Sequence, residues 1–110
     1  MIDWTKVDEL RNDIGEEDFD EVVDLFLEEV EDAMEKLRAG LPVDKLECCL
    51  HFLKGSALNL GFSNFSELCA KGEAAAAIGD HGAIDLCEVI QTYDASKAAF
   101  LKTLADRGVA

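Results

Sequence analysis

Proline is almost missing from this chain: Pro42 is the only one in 110 residues. Long helices can therefore run unbroken. Sustained alternation of apolar and polar residues is missing too, which argues against a sheet. No apolar run approaches the roughly 20 residues of a membrane span. Cysteine occurs at 48, 49, 69 and 87 but never as C-x-x-C, so the common zinc and dithiol patterns do not arise. Cys48 and Cys49 are adjacent on an expected helix, where they bridge poorly. Bases are scarce: 10 Lys and Arg stand against 24 Asp and Glu, a formal net charge of −14. Nucleic acid and anionic membrane surfaces would be repelled. A partner with a basic or polar face fits better.

What is present can build a core. Hydrophobic residues make up 49%, too many for a disordered acidic tail. The length suits one domain, residues 1–110, and no repeat, linker or low-complexity stretch divides it. Met1-Ile2-Asp3-Trp4 has neither a basic nor an apolar leader character. A cytoplasmic chain with reduced thiols is the expectation.

The pattern predicts an all-α fold. Asp3 caps a short first helix, anchored by Trp4, that ends near Ile14 at Gly15. Glu16-Glu17-Asp18 opens a long second helix, acids meeting the positive end of its dipole. Its apolar stripe reads Phe19, Val22, Phe26, Val30, Ala33, Leu37, and Gly40 stops it. Pro42 and Asp44 open the third, with Asp44-x-x-Glu47 as a capping box. Its seam is Val43, Leu46, Leu50, Leu53, Ala57, Leu60, ended by Gly61. The fourth starts near Ser63–Asn64 with Glu67 closing a cap, and turns inward Phe65, Leu68, Cys69 and Ala76. After a turn at Gly79-Asp80-His81-Gly82, the fifth runs from about Ala83 to Asp106. Its inward residues are Leu86, Val89, Ile90, Tyr93, Phe100, Leu101 and Leu104. The expected architecture is an antiparallel up-down four-helix bundle with the short N-terminal helix across one end.

The acidity is uneven. Residues 1–47 hold 17 acids and 5 bases, whereas residues 48–110 hold 7 and 5. From Cys48 to Gly72 only Glu67 opposes Lys54 and Lys71. On a helical wheel His51 falls about 140° from the third seam, facing solvent. Around it lie Cys48, Phe52, Gly55, Leu58 and Asn59, an unusually apolar outer face. Gly55 costs the helix about 1 kcal/mol relative to Ala, yet at i+4 it leaves the imidazole open to close approach. A neutral imidazole nitrogen is a nucleophile, and the arrangement suits phosphoryl transfer to and from the ring. Lys54, one turn on, is placed to offset phosphoryl charge. Phe52, Leu58 and Cys48 can dock a partner, although Phe52 and Leu58 could equally pack under the first helix or the start of the second. Glu47 is placed either to bond a ring nitrogen or, the preferred reading, to close the cap with Asp44. His81, in its turn, is assigned no role.

Leu50-His51-Phe52-Leu53-Lys54-Gly55-Ser56-Ala57-Leu58-Asn59-Leu60-Gly61 resembles the signature of histidine-containing phosphotransfer (HPt) domains of two-component phosphorelays. Leu68-Cys69 and Glu73 look like the family's next helix, and Leu37-Arg38-Ala39-Gly40 like the end of its second. The resemblance spans roughly residues 3–107. It implies that His51 accepts a phosphoryl group from a receiver-domain aspartyl phosphate and passes it on. It implies that Lys54 lies near the phosphate and that Gly55 leaves room for the receiver. It implies no ATP site or kinase activity; the receiver brings the acidic pocket and Mg²⁺, and this chain needs no cofactor of its own. Expected partners are response-regulator receiver domains and a receiver-containing hybrid histidine kinase, contacted through Cys48, Phe52, Leu58 and Asn59. Leu50 stands where the family usually has Ala, Ala57 where a small polar residue is common, and Gly72 where Leu is frequent. Gly72 is expected to weaken the fourth helix locally without touching the chemistry.

The expected function is thus a freestanding, monomeric phosphotransfer protein. The alternative is a non-phosphorylated acidic adaptor of the same shape, against which the intact His51-x-x-Lys54-Gly55 counts. Cys48 and His51 could both ligate a soft metal, but nothing nearby completes a set. Nor does the chain hold the paired Glu-x-x-His motifs of a di-iron bundle.

Overall fold

A computed structural model describes residues 2–108, with side chains described through Asp106. Five α-helices follow one another: α1 Trp4–Ile14, α2 Glu16–Gly40, α3 Val43–Leu60, α4 Ser63–Ala77 and α5 Leu86–Gly108. A 3-10 turn, His81–Ala83, lies between α4 and α5. Sequential helices pack on one another and α2 also meets α5, so α2 to α5 close a ring, with α1 against α2 and α3. The result is an all-helical bundle with one additional short helix.

Helix boundaries follow local chemistry. Asp3 Oδ1 accepts the Thr5 N–H at 3.1 Å and so caps α1. Gly15, at φ 86°, ends it. The expected capping boxes of α3 and α4 do not form. Val43 is already helical and Pro42 takes the cap position, so Asp44 lies inside the first turn and Glu47 beyond the reach of a cap. In α4 the cap position is Phe62, which leaves Glu67 too far along. α5 starts later than Ala83 because the 3-10 turn occupies that segment, and Asp85 Oδ1 then accepts the Glu88 N–H at 3.1 Å.

The core is built from apolar seams. In α3, Leu46, Leu50, Leu53, Ala57 and Leu60 are buried as expected, but Val43 is exposed in the first turn. In α2 the buried line is Phe19, Val23, Leu27, Val30, Met34 and Leu37. Val22, Phe26 and Ala33 of the expected stripe sit half-buried at its side. The helix has two adjacent apolar lines because it packs on α1, α3 and α5 together. In α5, Val89, Tyr93 and Phe100 go inside, with the small Ser96 between them, while Leu101 is left exposed.

Aromatic and charged contacts join the helices. Trp4 stacks on Phe100 at 5.7 Å between ring centroids, and Phe62 meets Phe100 edge-on at 5.3 Å. Between α2 and α5, Glu31 accepts hydrogen bonds from the Tyr93 hydroxyl at 2.7 Å and from Lys97. Arg38 donates to Asp94 at 2.7 Å. Burial alone would raise the Glu31 carboxyl pKa, but the bonds from Lys97 and Tyr93 and the charges of Lys97 and Arg38 bring it below the usual range. Burial, followed by the Glu31 contact, pushes the Tyr93 hydroxyl up.

The turn between α3 and α4 is also tied to the N-terminal segment. Gly61 has φ 75° and its carbonyl accepts the Asp3 N–H at 2.6 Å. A Cβ there would run into the Asp3 carbonyl, so both the left-handed backbone and the close approach require glycine.

Candidate functional site

α3 and α4 form a hairpin closed at Gly61, and its outer face carries a three-residue charged contact. The His51 side chain is 72% exposed, with Nδ1 2.8 Å from Glu73 Oε2. Lys54 Nζ donates to Glu73 Oε1 at 2.9 Å. Glu73 thus sits between the two, itself only 19% exposed. The hydrogen bond from Lys54, then that from His51, holds its carboxyl below the ordinary range against the opposing effect of partial burial. A carboxylate that is ionised at neutral pH can only accept. The proton of a neutral ring must then lie on Nδ1, which leaves the Nε2 lone pair free at the surface.

The surroundings of the ring match the helical-wheel reading. Cys48, Phe52, Leu58 and Asn59 are all exposed on this face, Phe52 to 40% and Leu58 to 52%. Phe52 and Leu58 are therefore not buried under α1 or the start of α2. A Cβ built on Gly55 meets nothing within 4 Å, so the approach beside His51 is open. A groove of about 460 Å³ between α3 and α4 begins at His51 and Glu73 and is otherwise lined by Glu47, Cys48, Ala70, Ala74 and Ala77. A second, of about 510 Å³, lies between α2 and α3 and holds Cys48, Cys49 and Phe52.

Glu47, which closes no cap, does not take the ring nitrogen either; Glu73 does. Lys54, expected to await a phosphoryl group, is bonded to Glu73. The role of Glu73 was not visible in the pattern because it lies 22 residues from His51 and needs the hairpin to bring it close. The available hint was that an acid borders the apolar side of α4 beside Cys69 and Gly72. The four thiols are free; burial raises that of Cys49 and pushes that of Cys69 up to about 12. Among the described residues no three His, Cys, Asp or Glu side chains group to hold a metal. Among them, too, no helix is long and apolar enough to cross a membrane.

A helical bundle that presents one tethered, accessible histidine is the class of protein these features define. The sequence model of the Hpt domain matches residues 21–107, so the chain belongs to the Hpt domain family. No curated protein and no solved structure gave a match. Hpt domains are phosphocarrier modules of two-component signalling, not kinases, and they interact with receiver domains and histidine kinases.

Proposed function

We infer that His51 is the phosphoryl acceptor and that the protein carries the group between receiver-domain aspartates, one of them in a hybrid histidine kinase. The observation that carries this is the Glu73 contact at Nδ1 beside the open space at Gly55. In the transfer, Nε2 forms a bond to phosphorus as the aspartyl O–P bond breaks, its electrons returning to the aspartate carboxylate. The phosphorylated ring keeps its Nδ1 proton and bears positive charge, which the Glu73 carboxylate offsets. An ammonium has three donors, so Lys54 can hold Glu73 and still offer a proton to a phosphoryl oxygen. Cys48, Phe52, Leu58 and Asn59 form the partner face, and the receiver brings the Mg²⁺ that its own acidic pocket binds.

The test is transfer of radiolabelled phosphoryl from a phosphorylated receiver. His51→Gln should take up no acid-labile label, and label on that variant would sink the assignment. Gly55→Gln should block transfer with helicity nearly intact; a normal rate would remove the access argument. Receiver binding that survives His51→Ala, with no label ever transferred, would favour a docking adaptor instead. We read the protein as a freestanding, single-domain, cytoplasmic monomer. The mass of the endogenous protein, cell fractionation and sedimentation equilibrium test those points in turn.

A further inference from the structure

Beneath the His51–Glu73 contact lies a second contact, between the residues that immediately precede each of them. Leu50, before His51, is fully buried on the α3 seam. Gly72, before Glu73, is buried on the facing side of α4. A Cβ built on Gly72 would lie 2.9 Å from Leu50 Cδ1, 3.7 Å from Leu50 Cδ2 and 3.6 Å from Ile84 Cγ2. Carbon atoms settle at about 3.5–4.0 Å, so even one methyl group displaces Leu50 or drives the helices apart. Leu50 is 0% exposed, inside a close-packed seam that yields little.

Conformational freedom does not explain this glycine. Gly72 is not among the residues of positive φ, and glycine is a poor choice inside a helix. What the position requires is space, and Leu50 fills it. Glu73 and His51 project from the same two turns, joined by a bond of 2.8 Å. Such a bond is best made at about 2.7–3.2 Å, so a shift of less than one ångström between α3 and α4 takes it out of that range and weakens it.

We propose that Gly72 is a positioning residue: its missing side chain, with Leu50 in the vacant space, sets the α3–α4 separation at which Glu73 holds the Nδ1 proton of His51. The inference rests on the phospho-acceptor reading of His51 and extends it to a buried residue that touches neither substrate nor partner.

The test uses phosphoramidate, a small donor that bypasses receiver docking. Nε2 forms a bond to phosphorus, the N–P bond of the donor breaks, and ammonia leaves. Uptake is followed on a phosphate-affinity gel, and the His51 tautomer by ¹⁵N NMR. Gly72→Leu should keep its helicity, lose the Nδ1–H signature and slow uptake by about tenfold to a hundredfold, the scale of an ångström misplacement. Adding Leu50→Ala, which reopens the space, should restore both signals. A folded Gly72→Leu with the wild-type tautomer and rate overturns the proposal. So does a folded double variant that recovers neither. If Gly72→Leu does not fold, Gly72→Ala with Leu50→Val as its rescue is read by the same two signals and decided the same way. A wild-type protein that takes no phosphoryl group, or a His51→Gln variant that does, would overturn the acceptor reading itself. An active wild type with an unaffected Gly72→Leu overturns only the role of Gly72.

Discussion

Replacing Gly61 and Gly79 by alanine, one at a time, separates backbone strain from steric contact. The two helix ends have the same hydrogen-bond pattern. After α3, Phe62 N–H donates to the Ala57 carbonyl at 2.9 Å and Gly61 N–H to Leu58 at 3.3 Å. After α4, Asp80 N–H donates to Ala75 at 2.8 Å and Gly79 N–H to Ala76 at 3.1 Å. Both are Schellman ends, with φ of 75° at Gly61 and 77° at Gly79. Alanine in a left-handed conformation costs roughly 1–2 kcal/mol, and about 0.4–1 kcal/mol returns through the stiffer unfolded chain. Those contributions are common to both sites. The surroundings differ: nothing lies within 4 Å of a Cβ on Gly79, whereas one on Gly61 meets the Asp3 carbonyl and stands 3.3 Å from Val7 Cγ2. Moving Asp3 aside breaks its 2.6 Å bond to Gly61, worth about 0.5–1.5 kcal/mol. Crowding buried Val7 adds about 1–3 kcal/mol of overpacking. Gly79→Ala should therefore lose about 1 kcal/mol, and Gly61→Ala about 2–4 kcal/mol more than that. Urea unfolding followed by far-UV circular dichroism measures both. A difference under about 0.5 kcal/mol, the scatter of ordinary surface substitutions, would refute the claim that the N-terminal segment is clamped to the α3–α4 turn.

Three further outcomes are expected. Phe52→Ala, which removes a ring 40% exposed beside His51, should weaken receiver binding by about fivefold to thirtyfold, or 1–2 kcal/mol; an unchanged Kd in calorimetric titration would take Phe52 out of the interface. Glu31, with its carboxyl held below the ordinary range, contributes stability above the unfolded-state pKa of about 4.3 and loses it as pH falls through the lower folded value. Urea midpoints of wild type and Glu31→Gln should therefore converge on acidification, and a gap constant with pH would show that the charge of Glu31 is immaterial. With a thiol reagent at mildly alkaline pH, exposed Cys48 and Cys87 should react at once, and Cys69, buried with its thiol pushed up to about 12, only on unfolding; rapid labelling of Cys69 in the folded protein would contradict its burial.

The sequence made the helices and the exposed face of α3 legible because both depend on local periodicity and on glycine. Asp3, Gly15, Gly40 and Gly61 mark real boundaries, since a cap or a left-handed residue acts within one turn. The capping box of α3 fails because the cap position falls two residues earlier, at Pro42 instead of Asp44, which puts both acids out of range, and that of α4 because its cap position is Phe62. The expected stripe through Val22, Phe26 and Ala33 and the buried line through Val23, Leu27 and Met34 are two regular solutions on a helix with two apolar lines. Neighbouring helices decide between them, and a single helix cannot show that. At the site, His51, Gly55, Phe52 and Leu58 were readable from one helix. The Glu73 partnership and the Leu50–Gly72 fit were not, because each joins two helices. On α4 alone Gly72 is only a local weakness; it becomes half of a contact once Leu50 of α3 stands against it.

The hairpin closed at Gly61 holds everything that sets the His51 ring, from Leu50 to Glu73, on one short stretch of chain. The acidic flank of α2 and the outer face of α5 have no part in that set. The residues that orient the ring and those proposed to meet a receiver, Cys48, Phe52, Leu58 and Asn59, therefore share that one hairpin, so a substitution in it bears on both at once.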